Sequence, residues 1–211
     1  MGDETASTGA RVPHVRVIHL ASGNAHKAGE FQRLADASGL ALRIRPAARM
    51  PEVIEDTGTF IGNASKKALA LQAVLPPDSW VLADDSGVCV DELGGAPGVE
   101  SAYFAGPQHD AAANLDKLTD VMRGVSDSRR GASFYCVLVL RGPGGTEYVC
   151  EGRCSGRLAR EPVGGRGFGY DPLFIPDGYE CTYAQLDEAA KNKISHRGRA
   201  WLILLEKLRG M

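Results

Sequence analysis

No apolar run in this 211-residue chain approaches the roughly 18–20 residues needed to cross a bilayer, so no membrane partner is expected. The opening stretch, MGDETASTGARVPH, has neither the basic start nor the apolar centre of a secretory leader. Basic residues are not in excess: 24 Lys plus Arg stand against 26 Asp plus Glu, for a formal charge of -2. That balance lacks the footprint of a nucleic-acid binder. Cysteine is sparse and odd in number (Cys89, Cys136, Cys150, Cys154, Cys181), which argues against a disulfide framework. Cys150 and Cys154 lie four apart with no second pair, a poor zinc signal. A reduced, cytoplasmic protein is the economical expectation. The phosphate-cradling GxxxxGK[ST] loop and the GxSxG nucleophile elbow are both absent, as is any internal repeat.

What is present is an ordinary globular composition, 44% hydrophobic and 24% charged. Residues 1–14 are small and polar and read as a disordered tail, leaving 15–211 as one sizeable domain, or one with two lobes. Val15 to Ala21 reads as a buried strand, followed by a helix capped by Ser22 or Asn24, with Phe31, Leu34, Ala35 and Ser38 on one face. Leu40 to Arg45 reads as a second strand, closed by Pro46. Phe60, Ala64, Lys67, Ala68 and Leu71 recur at helical spacing. Ala112, Leu115, Leu118 and Met122 mark another helix. Phe134 to Leu140 is the strongest strand, turned back by Gly142-Pro143-Gly144-Gly145 into Thr146 to Cys154. Leu173-Phe174-Ile175 is a short apolar run. The last helix carries Trp201, Leu204, Leu205 and Leu208 as a stripe. The fold class is therefore α/β, a long mixed sheet with flanking helices.

The most informative stretch is Trp80 to Gly106. The apolar run Trp80 to Ala83 ends in Asp84, Asp85 and Ser86, and Gly87 reads as a turn before a second strand. Acids at a strand end suit a divalent cation and an activated water, although Asp, Ser and Gly also dominate plain turns. Ser22, Gly23, Asn24, Ala25, His26 and Lys27 sit where a strand hands over to a helix, whose free amides attract phosphate. Glu55 and Asp56 precede a helix, as solvated caps or as metal ligands. Lys67 falls on an apolar helix face, where it either snorkels or reaches an anion or an acidic pair. The glycines of Gly164 to Gly169 either let the backbone approach a flat ligand, with Phe168 free to stack, or form a surface loop. Lys191, Lys193, His196 and Arg197 crowd the entry to the last helix, either as a solvated basic face or as converging donors.

In order along the chain, LASGNAHKAGE, EDTGTFIGNASKKA, ADDSGVCVDELGGAPGVESA, GFGYDPLFIP and KISHR resemble the inosine/xanthosine triphosphate pyrophosphatases, over about Val15 to Arg209. The resemblance implies two lobes with a central nucleotide cleft, a homodimer, and Mg2+-dependent cleavage of dITP, ITP or XTP into monophosphate and pyrophosphate. It matches Ser22 to Lys27 to the phosphate-binding turn and Lys67 to the lysine near the triphosphate. Asp85 matches a general base and metal ligand, Glu55 an acidic metal-site residue, and Ser86 a substrate contact. Phe168, Gly169, Tyr170, Asp171, Lys191, His196 and Arg197 match the segments holding the nucleotide and its base. Glu100 and Tyr103 depart from the usual aromatic and arginine. A Maf-like pyrophosphatase with another base preference, or a non-catalytic nucleotide-binding module, are the competing readings. The expectation is one cationic, metal-loaded cleft that brings Asp85 near Lys27, Lys67 and Arg197.

Overall fold

The computed structural model describes residues 16–210, so the expected tail at 1–14 lies outside the described residues. Six strands form one mixed sheet in the order β2-β1-β3-β4-β5-β6. They are β1 (Arg16–Leu20), β2 (Leu42–Pro46), β3 (Trp80–Val90), β4 (Gly131–Arg141), β5 (Glu147–Leu158) and β6 (Phe174–Pro176). β1 runs parallel to β2 and to β3, whereas β3, β4, β5 and β6 pair antiparallel in succession. Helices intervene between the parallel strands, as such crossovers require: α1 (Ala25–Asp36) and α2 (Phe60–Gln72). α3 (Ala111–Val121), α4 (Glu188–Ile194) and α5 (His196–Arg209) complete the set.

Strand alternation decides which helix covers which face. Ile18, Leu20, Leu82, Leu138 and Leu140 pack against Phe31 and Ala35 of α1 and against Trp201, Leu204 and Leu208 of α5. The intervening residues Val81, Ala83, Val137 and Val139 meet Ala64, Ala68 and Leu71 of α2. Farther along β3 and β4, Val88, Val90 and Phe134 join Leu118, Met122, Phe174 and Tyr183 in another cluster. The long central strands thus pass from one group of apolar contacts to the next.

One expectation fails here. Asp84 to Gly87 form no turn; β3 continues through them, with Asp84 opposite Leu138 and Gly87 opposite Tyr135. Gly87 has a different purpose, because a Cβ there would overlap the Gly98 carbonyl and the Ser101 hydroxyl. Its missing side chain lets the 3-10 segment Gly98–Tyr103 lie directly on the strand. Ser101 fixes that contact: its Oγ accepts from Val88 N at 3.0 Å and donates to Gly98 O at 2.6 Å.

Candidate active site

The β1–α1 junction folds as a capped turn. Asn24, rather than Ser22, is the cap: its Oδ1 accepts from Lys27 N at 3.1 Å, while Ser22 Oγ accepts from Asn24 N at 3.1 Å. Ser22, Gly23, Asn24 and Lys27 line a cavity of about 440 Å³. Ala25 and His26 do not. The first helical turn carries them round to a neighbouring cavity of about 230 Å³, where the His26 ring stacks on Phe168 with centroids 5.4 Å apart.

Asp84 and Asp85 are buried in mid-strand, where an unpaired charge would be costly. Asp84 Oδ2 takes Lys27 Nζ at 2.9 Å and Arg197 Nη2 at 3.2 Å. Burial opposes its ionisation, yet Lys27 and Arg197 outweigh that and hold the carboxyl well below the usual aspartate range. Asp85 Oδ1 takes Lys67 Nζ at 2.9 Å, and Asn63 Nδ2 donates to its other oxygen at 3.3 Å. Burial pushes Asp85 up to about 6, Lys67 offsets the rise only in part, and Glu55 adds to it.

Lys67 does not snorkel. Its ammonium lies between Asp85 and Glu55, 2.8 Å from Glu55 Oε2. Burial disfavours the ammonium, but Asp85, Asp84 and Glu55 together raise its pKa. Exposed Asp56 turns away to pair with half-buried Lys66, which separates the two adjacent acids. Thr57 steadies this loop by donating Oγ1 to Asn63 Oδ1 at 2.7 Å, the same amide that reaches Asp85.

At the other end of the cavity Lys191 joins Glu30 at 2.9 Å and Asp171 at 2.6 Å. Arg197 binds Glu30 as well as Asp84, and donates to Ser86 Oγ at 3.1 Å. Burial works against charge on Glu30, yet Arg197 and Lys191 hold its pKa below the usual value. Of the basic residues entering α5, Lys191 and Arg197 are therefore buried ion-pair partners, whereas Lys193 is exposed. Gly167 serves this network: it has φ +74°, and a Cβ there would strike the Asp171 carboxylate. Asp171 also accepts from Phe168 N at 2.8 Å, and Tyr170 ties the loop to Ser101 O through its hydroxyl at 2.8 Å.

His196 stacks on Phe134 with centroids 4.7 Å apart, and its buried Nδ1 has no partner among the described residues. Burial, with Arg197 and Lys191 nearby, lowers its pKa well below the usual value, so the ring is neutral at pH 7.

The 440 Å³ cavity gathers Glu55, Lys67, Ser86, Phe168, Gly169 and Tyr170. Asp171, Lys191, His196 and Arg197 line it too, together with the β1–α1 turn. Asp85 is not among the lining residues but is ion-paired with Lys67, which is. The expected cationic cleft is corrected on one point. Its four cations (Lys27, Lys67, Lys191, Arg197) face five carboxylates (Glu30, Glu55, Asp84, Asp85, Asp171), so the site carries no surplus of positive charge. Sequence reasoning assigned no role to Glu30 or Asn63. The signal available for each was a polar residue on the buried stripe of its helix, one turn from Lys27 and Lys67 respectively.

Among the described residues no three His, Cys, Asp or Glu side chains form a ready-made metal cage. Mg2+ does not need one, since it usually binds through one or two carboxylates plus substrate phosphate and keeps several waters. Glu55 and Asp85, both turned toward the Lys67 ammonium, fit that donor set.

Residues 18–207 match the Ham1 family model. A dITP/XTP pyrophosphatase of Opitutus terrae is 60% identical over 196 residues, covering 90% of this chain and 97% of that protein. One from Shouchella clausii is 41% identical, covering 91% and 96%. Among solved structures, a HAM1 protein from Coxiella burnetii superposes with TM-score 0.80 at 37% identity, covering 93% of this chain and all of that one. The Staphylococcus aureus Ham1 protein gives TM-score 0.78 at 34% identity, covering 92% and 99%. With this fold, this clustering of side chains and matches of this extent, the chain belongs to the Ham1 family.

Proposed function

We propose that this protein is a Mg2+-dependent nucleoside triphosphate pyrophosphatase that hydrolyses dITP, ITP and XTP to the monophosphate and pyrophosphate, clearing deaminated purine nucleotides. The observation that carries the reading is the Glu55–Lys67–Asp85 cluster, which adjoins a cavity also lined by the β1–α1 turn. A triphosphate brings roughly four negative charges. The site's own cations are already matched by carboxylates, so a divalent cation is the missing counter-charge.

Mg2+ held by Glu55 and Asp85 would neutralise and polarise phosphate oxygens. The chain does the rest. Free amides of the Ser22–Lys27 turn hold phosphate at the start of α1, and Lys27 and Lys67 stabilise charge moving onto the departing pyrophosphate. Asp85, with its raised pKa, orients a water toward the α-phosphorus and takes its proton. Ser86 and Lys191 contact the nucleotide beside it, and Phe168, flanked by Gly169, Tyr170 and Asp171, offers a face to the base. Arg197 braces this end through Glu30 and Asp84. Inosine and xanthosine carry an acceptor, O6, where adenine carries an amino donor. His196 and the unsatisfied first N–H groups of α5 supply donors suited to the former. A cytoplasmic homodimer belongs to the same proposal.

Pyrophosphate release from ITP, XTP, GTP and ATP, with and without Mg2+, tests it. Turnover of ITP and XTP that needs Mg2+ and far exceeds that of ATP is expected. A preference for ATP would refute the donor model, and metal-independent turnover would refute the role given to Glu55 and Asp85.

A further inference from the structure

Every lysine and arginine on the cavity wall is already engaged: Lys27 by Asp84, Lys67 by Glu55 and Asp85, Lys191 by Glu30 and Asp171, and Arg197 by Glu30, Asp84 and Ser86. His109 differs. It lines the same cavity, and among the described residues its ring makes no hydrogen bond and no ion pair. Among the described residues its one aromatic partner is Tyr103, met edge-on with centroids 5.4 Å apart and planes at 74°.

His109 is exposed, and the backbone on either side of it is fixed by local hydrogen bonds. His109 is the only non-glycine residue among those described with positive φ, at 55°. Such a conformation costs free energy in an L-residue and concentrates at functional sites. Asp110 follows at once and locks the segment by accepting from Ala112 N and Ala113 N at the head of α3. Asn114 clamps the other side, accepting from Ala105 N at 2.6 Å and donating to Ala102 O at 2.9 Å. Tyr103, whose ring His109 meets edge-on, has its hydroxyl 3.5 Å from the Glu55 carbonyl, a long contact toward the Lys67–Asp85 end.

We propose that His109 is a further substrate-contacting residue, whose ring N–H donates to the β,γ-phosphates of the bound triphosphate and to the pyrophosphate that leaves. In either tautomer the imidazole carries at least one N–H donor, and an imidazole on the wall completes a site whose fixed cations are shared with carboxylates. The inference rests on the pyrophosphatase reading above and names a phosphate contact that the five sequence motifs do not include.

Three variants separate contact from backbone strain. His109→Gly removes the ring and relieves the positive φ, His109→Ala removes the ring alone, and His109→Asn keeps an N–H donor in a residue that tolerates this φ. The readouts are the KM for ITP, calorimetric binding of inorganic pyrophosphate with Mg2+, and inhibition by IMP, which lacks the β and γ phosphates. For His109→Gly and His109→Ala we expect KM and the pyrophosphate Kd to rise about tenfold, as for one lost hydrogen bond to a charged group, with IMP inhibition unchanged. His109→Asn should recover part of the loss. Values within about twofold of wild type for both Gly and Ala overturn the proposal. So does a normal Gly variant beside an impaired Ala variant, which would assign the effect to strain. A wild-type protein that binds pyrophosphate but does not cleave ITP would sink the functional reading, while the binding arm still decides the role of His109.

Discussion

Asp84 and Asp85 are adjacent in β3, yet their carboxylates serve opposite faces of the sheet: Asp84 holds Lys27 and Arg197 on the α1 and α5 side, and Asp85 holds Lys67 on the α2 side. Strand alternation lets two neighbouring acids organise two halves of one site. It also sorts their chemistry, because two cations hold Asp84 ionised whereas burial leaves Asp85 near 6, within reach of a proton.

Asp85→Asn should lower kcat by at least about 100-fold, the lower end of what a general base contributes. The amide is nearly isosteric, so circular dichroism and melting temperature should stay close to wild type. Turnover within a few-fold of wild type would remove Asp85 from this role.

Glu55→Gln should raise the Mg2+ concentration for half-maximal rate by about tenfold or more, a scale typical of perturbed metal sites. Asp56→Asn should leave it unchanged, since Asp56 is exposed and paired with Lys66. A magnesium titration of both variants settles which acid serves the metal.

Glu30→Gln should destabilise the fold by roughly 3–5 kcal/mol, the scale for removing one partner from a buried ion-pair network. Glu30 is the shared partner of Lys191 and Arg197, so each loses one of its two carboxylates at once, keeping only Asp171 and Asp84 respectively. Urea unfolding reads this directly, and a loss below about 1 kcal/mol would show that the network is worth no more than a surface pair.

His196 gives a pH dependence whose sign follows from burial. Its folded pKa lies below 6.5, so below about pH 6.5 the unfolded chain binds a proton that the native state refuses. Its contribution to stability is full above that pH and declines as the pH falls. Asp85 acts the other way below about 6, so the comparison must be made between wild type and His196→Gln, which both contain it. From pH 7.5 to 5.5 wild type should lose up to about 1.4 kcal/mol more than the variant. Parallel losses in the two proteins would contradict a neutral, buried His196.

Gly87→Ala should cost about 1–3 kcal/mol, because the new methyl group meets the Gly98 carbonyl, a backbone atom that cannot swing aside. The segment it displaces carries Ser101 and Ala102 of the cavity wall, so the KM for ITP should rise as well. An unchanged melting temperature would mean that the Gly98–Tyr103 segment is free to shift.

Local pattern carried most of the architecture. The spacing of Phe60, Ala64, Lys67, Ala68 and Leu71 is enough to specify α2, and the run Phe134 to Leu140 marks β4, because the periods of helix and strand are properties of a few consecutive residues. The same local logic misread Asp84 to Gly87 as a turn. Polar residues and a glycine fit mid-strand only when distant groups supply counter-charges and a close backbone neighbour, and neither is visible from the stretch itself. Ala25 and His26 line the neighbouring cavity rather than the one lined by Ser22, Gly23, Asn24 and Lys27, a division that the strand-to-helix junction alone does not reveal.

By its own pattern, the amino-acid sequence determined the alternation of elements, the mixed sheet, the motif segments and the lysine on the apolar face of α2. Tertiary structure alone decided who pairs with whom. Glu30 and Lys191 meet across 161 positions, Asp85 recruits Asn63, Glu55 is chosen over Asp56, and His109 is left with an unengaged ring on the cavity wall. The reason is physical: propensity and periodicity act over a turn or a strand, whereas a buried charge is settled by whatever opposite charge the packed chain brings within about 3 Å.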